Sequence, residues 1–308
     1  MIVTPLNTAR SRQIATLLLV AVTAIWGSTF FLIRDVVLQV SPTDFLAVRF
    51  TIAAVAMVAV FWRSMLALNK REIQVAIGLG TVYAVAQILQ TVGLAYTDAS
   101  RSGFITGTYV VLTPILAAVL LRERIPRSTW VAVLMATAGL GILSLNGIGF
   151  GFGESVTLVA AAFYALHIIG LGRFSSPASA AGLSTVQMVV IAAVSLMAAA
   201  PGGIELPQGT GAWTSVLYMA LMAGAVAIWG QTWAQSHLTA TRAAIVMTLE
   251  PVFAAVFAVA FGGESMTVRL FLGGFMVLAA MYTVELIGRR ADLAAEQNPA
   301  AELLLHEV

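Results

Sequence analysis

Two stretches of sequence decide the fold of this chain, because each reads as a copy of the other. Residues 99–121 read ASRSGFITGTYVVLTPILAAVLL, and residues 240–261 read ATRAAIVMTLEPVFAAVFAVAF. Each opens on a small residue, a second small or hydroxyl residue and an arginine. Each then continues as an apolar run of about 20 residues, the length that a helix needs to cross a bilayer. Each stretch predicts a membrane-spanning helix, and the pair predicts an internal duplication.

The duplication extends beyond these two runs. At a constant offset of 141 residues, residues 99–138 align on residues 240–279 without gaps. The matched polar positions are Arg101 with Arg242, Glu123 with Glu264 and, just upstream, Gln90 with Gln231. Alanine-rich spans align easily by chance, but chance does not readily pair charged residues at both ends of a run. We therefore interpret the match as two copies of one unit.

The rest of the chain supplies further apolar runs of the same length. Of its 308 residues, 60% are apolar and 10% charged, against roughly 45–50% and about 25% in soluble domains. The predicted spans are residues 14–33, 43–62, 73–96, 102–121 and 128–145, and then 154–172, 182–200, 213–235, 242–261 and 267–287. The sequence therefore predicts an all-α integral membrane protein of ten transmembrane helices.

The duplication and the spans together predict the domain organisation. We expect a cytoplasmic N-terminal segment at residues 1–13, five-helix repeats at 14–145 and 154–287, an extracytoplasmic linker at 146–153 and a cytoplasmic tail at 288–308. Because each repeat holds an odd number of spans, the second repeat enters the membrane from the opposite face. Such inverted repeats are typical of secondary transporters.

The distribution of basic residues predicts the orientation. Twelve of the sixteen Lys and Arg residues fall on the side of the amino terminus, and Arg34, Arg101 and Arg269 fall on the other; Arg49 lies inside the second span. By the positive-inside rule, both termini are expected in the cytoplasm, in a multi-pass protein of the inner (plasma) membrane.

Several classes of function are excluded by what the sequence lacks. Its basic residues are scattered singly between apolar runs, which argues against a nucleic-acid partner. The chain has no cysteine, so thiol chemistry is excluded. Its three histidines, His167, His237 and His306, are not spaced as metal ligands, and it has no hydrolase or metalloprotease motif. We therefore predict neither an enzyme nor a cofactor.

Several motifs make the chain resemble a known family. The first span contains Trp26-Gly27-Ser28-Thr29-Phe30, the second contains Arg49-Phe50, and the ninth contains Glu250-Pro251. With the two fourth-span copies, these motifs make residues 14–287 similar to the drug/metabolite transporter superfamily, and within it to the ten-span EamA-type exporters, which include bacterial amino-acid exporters. The resemblance implies a central cavity surrounded by the first, third, fourth, sixth, eighth and ninth spans.

Polar side chains mark one face of the third span and one face of the fourth. In the third span Tyr83, Gln87 and Gln90 are spaced by four and three residues, which places them on one side of a helix. In the fourth span Ser102, Thr106, Tyr109 and Thr113 recur in the same way. A membrane interior disfavours such side chains unless another helix or water meets them. We expect the two faces to line a cavity or, for Ser102 and Thr113, to hydrogen-bond a neighbouring helix.

The second half contributes a carboxylate. Glu250 is eight residues beyond Arg242, about 12 Å along a helix in a span of about 30 Å, so it is predicted near the midplane. An ionisable group at that depth is a candidate functional site, although a structural carboxyl is the alternative. The constant offset places Glu250 opposite Tyr109. Pro251 is expected to loosen the helix beside it by removing one backbone donor.

The remaining candidates are aromatic, amide or titratable. Trp26 and Trp229 are expected to form apolar walls of the site, and Gln231 to match Gln90. Tyr164 and His167 share a face of the sixth span, so His167 is either a packed histidine or a group that titrates near physiological pH. Arg49 is expected to be a structural anchor whose long stem snorkels toward the outer interface.

The predicted function is transport of a small organic solute, an amino acid or related metabolite, in the export direction and by alternating access. The alternatives are a multidrug or cationic-compound exporter and a channel. The predicted substrate-binding residues are Glu250, Tyr83, Gln87, Tyr109, Trp26, Trp229, Gln90, Thr106, Gln231, Tyr164 and His167. The expected partners are the solute and the lipid bilayer, with protons as a candidate coupling ion and a monomer or homodimer as the assembly.

Overall fold

A computed structural model describes residues 5–29, 32–33, 36, 39–97, 99–122, 125–144, 151–261 and 267–297. The predicted linker residues 146–150, Glu123, Glu264 and residues 298–308 lie outside this part of the chain. The helices are α1 (Pro5–Gly27), α2 (Pro42–Leu66), α3 (Lys70–Leu94), α4 (Ala99–Gly107), α5 (Tyr109–Leu121), α6 (Arg127–Ser144), α7 (Phe152–Phe174), α8 (Ala180–Ala199), α9 (Gly209–Tyr218), α10 (Ala227–Gln235), α11 (Ala240–Met247), α12 (Leu249–Phe261) and α13 (Val268–Gln297).

These helices form ten spans in two inverted repeats of five, which confirms the predicted fold class. Helices α4 and α5 together make the fourth span, and α11 and α12 make the ninth. Helices α9 and α10 form the eighth span with the π-helix Met219–Val226 between them. Within the described residues, five helical segments are long and apolar enough to cross a membrane: Pro42–Leu66, Lys70–Leu94, Phe152–Phe174, Ala180–Gly202 and Gly209–Gln235.

Local sequence explains where two of these helices begin. Ser41 caps α2 by accepting a hydrogen bond from the backbone N–H of Asp44 at 3.2 Å. Asn69 and Glu72 form a capping box at the start of α3, each side chain accepting from the other residue's backbone N–H. Such caps satisfy N–H groups that have no partner within the helix. Both spans therefore have defined starting points.

The fourth and ninth spans are broken at matching threonines, which the apolar runs did not predict. Thr108 (φ −63°, ψ −12°) separates α4 from α5, and Thr248 (φ −65°, ψ −6°) separates α11 from α12. Each threonine directs both its backbone N–H and its hydroxyl to the carbonyl three residues earlier, on Ile105 or Ile245. These bonds replace the ordinary bond to the fourth preceding carbonyl and tighten the turn.

The positions of the two breaks change the alignment of the two copies by one residue, from an offset of 141 before the breaks to one of 140 at the breaks. Thr108 and Thr248 are 140 residues apart, and the helices that follow them, α5 and α12, both have 13 residues. Beyond the break Tyr109 is therefore opposite Leu249, and the expectation that it is opposite Glu250 was wrong by one position. The constant offset fails because α4 has 9 residues whereas α11 has 8.

The spans pack closely where glycines remove side chains. A Cβ on Gly80 of α3 would lie 2.9 Å from the Gln187 carbonyl of α8, and one on Gly139 of α6 would lie 2.8 Å from the Gly273 carbonyl of α13. Another close approach, beside the predicted site, is at Gly27 of α1. A Cβ there would lie 2.7 Å from the Phe253 Cβ of α12. The first span therefore crosses the ninth directly against its backbone.

Candidate functional site

The polar face of the third span forms a hydrogen-bonded network with two other spans. On α3, the Gln87 amide donates to the Tyr83 hydroxyl at 3.0 Å, and the Gln90 amide donates to Thr106 of α4 at 3.0 Å. From α7, the Tyr164 hydroxyl donates to the Gln90 side-chain oxygen at 2.7 Å. The structure therefore brings together five of the predicted residues, from the third, fourth and sixth spans.

Aromatic rings close one side of this network. The Tyr83 and Tyr164 rings meet edge to face with centroids 5.6 Å apart, and the His167 ring lies 4.9 Å from Tyr83. The His167 Nε2 is 2.9 Å from the Gln187 side-chain oxygen, and the residue is 1% exposed. This arrangement is that of a packed histidine behind the Tyr83 ring, one of the two roles expected for it.

Glu250 of the ninth span lies within electrostatic reach of phenols from the first repeat and from α7. Its carboxylate interacts electrostatically with Tyr83, Tyr109 and Tyr164. Among the described residues it has no ion-pair partner and no side-chain hydrogen bond, and part of its surface stays accessible. The candidate site thus combines a carboxylate from the ninth span with three phenols, from the third, fourth and sixth spans, on which its charge acts.

The break at Thr248 explains how Glu250 is presented. Glu250 is the second residue of α12, and the amino-terminal end of a helix favours a negative charge. Pro251 is the third residue, where a backbone N–H has no partner within the helix in any case. The break at Thr248 lies in the turn before Pro251, where the proline offers no N–H to the Met247 carbonyl and its ring crowds that carbonyl. This position agrees with the expectation that Pro251 loosens the span.

Arg49 is a residue of this site that the sequence interpretation placed elsewhere. It was expected to snorkel outward, but it is only 5% exposed and points inward. Its Nε donates to the Met219 carbonyl of the π-helix at 3.3 Å, its guanidinium lies 5.0 Å from the Phe50 ring centre, and it interacts electrostatically with Tyr83 and Tyr164. The depth of this charge in the span was a signal in the sequence for a functional site. The sequence did not show in which direction the side chain points.

Two of the predicted residues in the second half make contacts away from this network instead. The Gln231 amide donates to the Gln235 side-chain oxygen at 3.0 Å, and the Gln235 amide donates to the Ile168 carbonyl of α7 at 2.9 Å. Trp229 stacks on Phe61 of α2, with ring centroids 6.3 Å apart. The structure brings neither Gln231 nor Trp229 into the hydrogen-bonded network of α3.

Trp26 lies next to the site and is fixed by a hydrogen bond. Its indole N–H donates to the Ala223 carbonyl of the π-helix at 2.9 Å, and it is 8% exposed. The next residue, Gly27, approaches the Glu250 carbonyl so closely that a Cβ would lie 2.8 Å from it. Trp26 therefore connects the backbone beside Glu250 to the eighth span.

A surface cavity of about 250 Å³ lies elsewhere, between the start of α2 and the residues that follow α8. Its lining includes Asp44 and Glu205 but none of the predicted site residues. Within the described part of the chain, no group of three or more His, Asp or Glu residues could hold a metal ion. The chemistry that the sequence picked out is therefore at the centre of the helices and not in this outer cavity.

The model of the EamA-like transporter family matches two segments, residues 13–145 and 151–286. The chain belongs to the EamA-like transporter family. The two matched segments agree with the two repeats seen in the structure, each of which contributes a broken fourth helix. This EamA-like protein is accordingly a multi-pass membrane transporter.

Similar proteins support the same assignment. An uncharacterized transporter of Archaeoglobus fulgidus is 33% identical over 275 residues, which are 89% of this chain and 87% of the relative. The uncharacterized transporter YetK of Bacillus subtilis is 28% identical over 161 residues, about half of each chain. A solved crystal structure superposes with a TM-score of 0.76 over 91% of this chain and 99% of its own, at 18% identity. This last likeness concerns the fold alone.

Proposed function

We propose that this EamA-like transporter is a secondary carrier that exports an amino acid or a related small metabolite across the inner membrane. One observation carries the proposal: Glu250, without an ion-pair partner among the described residues, lies close enough to Tyr83, Tyr109 and Tyr164 for its charge to act on all three phenols. A carboxylate kept at mid-span without a cation is suited to an amine that arrives with the solute. The phenols supply hydroxyl groups and aromatic faces around that amine.

The two repeats suit an alternating-access mechanism. The polar cluster combines side chains from α3 and α4 of the first repeat with side chains from α7 and α12 of the second. Rocking one repeat against the other would change the side to which such a cluster opens. The breaks at Thr108 and Thr248 provide matching points in the two repeats at which the fourth and ninth spans can bend.

A carrier for cationic compounds is the second candidate. A single carboxylate among aromatic rings is also what an organic cation requires, because ring faces attract positive charge. The buried Arg49 favours the amino acid, since it adds a positive charge that a purely cationic solute would meet at the same phenols. The two candidates therefore differ in whether the solute must carry a carboxylate.

Counterflow in proteoliposomes tests the proposal. Vesicles loaded with an unlabelled amino acid should accumulate the labelled form transiently, because a carrier exchanges solute across the membrane. Panels of amino acids and of quaternary ammonium compounds, each with and without a pH gradient, would separate the two candidates and reveal coupling to protons. Flux that does not saturate and shows no counterflow would contradict a carrier and favour a channel.

The proposed orientation can be tested with single cysteines, because the natural chain has none. We expect Gly211→Cys to be labelled from outside cells and Arg71→Cys to be protected. Gly211 has open space around it, whereas its neighbour Gly209 has a φ of +83° that a cysteine would strain. Labelling of Arg71→Cys from outside would contradict cytoplasmic termini.

A further inference from the structure

The guanidinium of Arg49 is only partly satisfied within the protein. Of its five N–H donors, the one on Nε bonds the Met219 carbonyl. The structure gives the two terminal amino groups no hydrogen-bond acceptor among the described residues, and no carboxylate pairs with Arg49 there. Buried charges are normally paired, because an unpaired one loses its hydration without compensation.

Arg49 and Glu250 carry opposite charges near the same phenols without pairing with each other. Both lie beside the π-helix Met219–Val226: Arg49 donates to its Met219 carbonyl, and Trp26, which donates to its Ala223 carbonyl, directly precedes the glycine that packs against the Glu250 carbonyl. No salt bridge joins Arg49 and Glu250 in the described part of the chain, and the charges of both act on Tyr83 and Tyr164. Two unpaired charges of opposite sign, with aromatic groups shared between them, form a site with one positive and one negative end. A single-charge solute would satisfy only one of these ends.

We propose that Arg49 binds the carboxylate of the transported solute while Glu250 binds its ammonium group, so that the site selects zwitterions. The inference rests on the proposed function and deepens it, because it makes a free α-amino acid the substrate class. An amino-acid amide or an organic cation leaves Arg49 unpaired, and an N-acylated amino acid leaves Glu250 unpaired. Each loss removes a charge-assisted hydrogen bond, the stronger class of such bonds.

The surroundings of Arg49 hold the guanidinium for this role. The Nε bond to Met219 and the Phe50 ring, 5.0 Å from the guanidinium carbon, restrain the guanidinium group on one side. The terminal amino groups are then the edge left for a carboxylate, and a guanidinium can bond both oxygens of a carboxylate at once. A lysine cannot reproduce this two-point contact, because its ammonium is a single point of charge.

The test compares three forms of the same molecule. Leucine, phenylalanine, glutamine and threonine would each be offered to the purified full-length protein as the free amino acid, the carboxamide and the N-acetyl derivative. We expect at least one free amino acid to bind about tenfold or more tightly than both of its derivatives, the effect of one lost charge-assisted bond.

We expect each of two variants to lose one of these preferences and keep the other. In Arg49→Gln, the free amino acid should lose its advantage over the carboxamide while keeping its advantage over the N-acetyl derivative. Glu250→Gln should do the reverse. Arg49→Lys should restore only part of the carboxylate preference. Arg63→Gln is the matched control, because Arg63 is an exposed arginine on the same helix, and it should keep both preferences.

The outcomes separate this inference from the proposed function. If the wild-type protein binds a carboxamide as tightly as the free amino acid, and Glu250→Gln abolishes that binding, Arg49 has no carboxylate role while the amine site stands. If none of the twelve compounds binds, both proposals fail for amino acids. If Arg49→Gln folds poorly, the wild-type comparison still decides whether the site selects zwitterions, and Arg49→Lys decides whether Arg49 supplies the contact to the carboxylate.

Discussion

The third and fourth spans of the first repeat correspond to the eighth and ninth spans of the second repeat. The two pairs place a glutamine at the same position but differ in the hydrogen bonds that this glutamine makes. Gln90 donates to Thr106, and Gln231 makes a weaker contact with the Met247 sulfur at 3.7 Å; each partner lies sixteen residues further along the chain. In the first copy the glutamine oxygen accepts from Tyr164. In the second copy the Gln231 oxygen has no hydrogen-bond partner in the structure.

This difference shows that the two copies of the duplicated unit contribute different groups to the site. The first copy supplies a polar face that stays connected to the phenols, whereas the glutamines of the second join the eighth span to the sixth through the Ile168 carbonyl. What the second copy adds to the site is Glu250, placed just after its break. The threonine break is the feature that both copies keep.

The largest expected effect comes from the glycine on which the first span crosses the ninth. Gly27→Ala should destabilise the protein by about 1–3 kcal/mol or more, as overpacking does, because its Cβ would lie 2.8 Å from two backbone atoms of α12. Gly103→Ala in the fourth span is the matched control. Nothing lies within 4 Å of its Cβ position, so it should be neutral or stabilising by up to about 1 kcal/mol.

Thermal melting in detergent and solute counterflow would measure both glycine variants. Equal melting temperatures for Gly27→Ala and Gly103→Ala would show that the crossing at Gly27 is not as tight as the structure indicates. The direct packing of the first span on the backbone of the ninth would then have to be abandoned.

The paired glutamines should respond differently to the same substitution. Gln90→Met removes bonds to Thr106 and Tyr164, so solute affinity should fall by about 0.5–1.5 kcal/mol, roughly two- to tenfold. Gln231→Met should leave solute affinity unchanged, because Gln231 lies outside the hydrogen-bonded network of α3. The variant loses the bond to Gln235 but also removes a buried oxygen that has no partner, so stability should change by less than about 1 kcal/mol. Isothermal titration with a bound amino acid measures the first effect and melting the second. An affinity loss confined to Gln231→Met would reverse the division of tasks.

The smallest expected effect comes from the threonine breaks, which both copies share. Thr108→Val and Thr248→Val each remove one hydroxyl bond to the carbonyl three residues earlier, worth about 0.5–1 kcal/mol. Both should slow counterflow by roughly two- to fivefold and leave equilibrium affinity nearly unchanged. If only one variant slows transport, the two breaks are not equivalent in function.

The sequence predicted the spans because a bilayer imposes a minimum length on every apolar run. It could not predict the breaks at Thr108 and Thr248, since threonine within an apolar run is also compatible with a continuous helix. The π-helix was missed for the same reason, because its residues, Met219–Val226, are as apolar as their neighbours.

The candidate site was predictable only where spacing along one helix determined it. The spacing of Tyr83, Gln87 and Gln90 correctly placed them together on α3. The rotation of α2 about its own axis is set by packing against other spans, so the inward direction of Arg49 could not be read from its position in the sequence. For Gln231, matching by repeat predicted a counterpart of Gln90 in the eighth span but not the loss of the polar connection.

The central claim is that Glu250 binds the amine of the solute, and the near-isosteric Glu250→Gln tests it most directly. Solute affinity and melting temperature should be measured on this variant, with Glu205→Gln in the outer cavity as a control carboxylate. We expect a loss of about 1.5–3 kcal/mol in binding, tenfold or more in affinity, for Glu250→Gln alone. Unchanged affinity together with a lowered melting temperature would contradict the account and make Glu250 a structural residue.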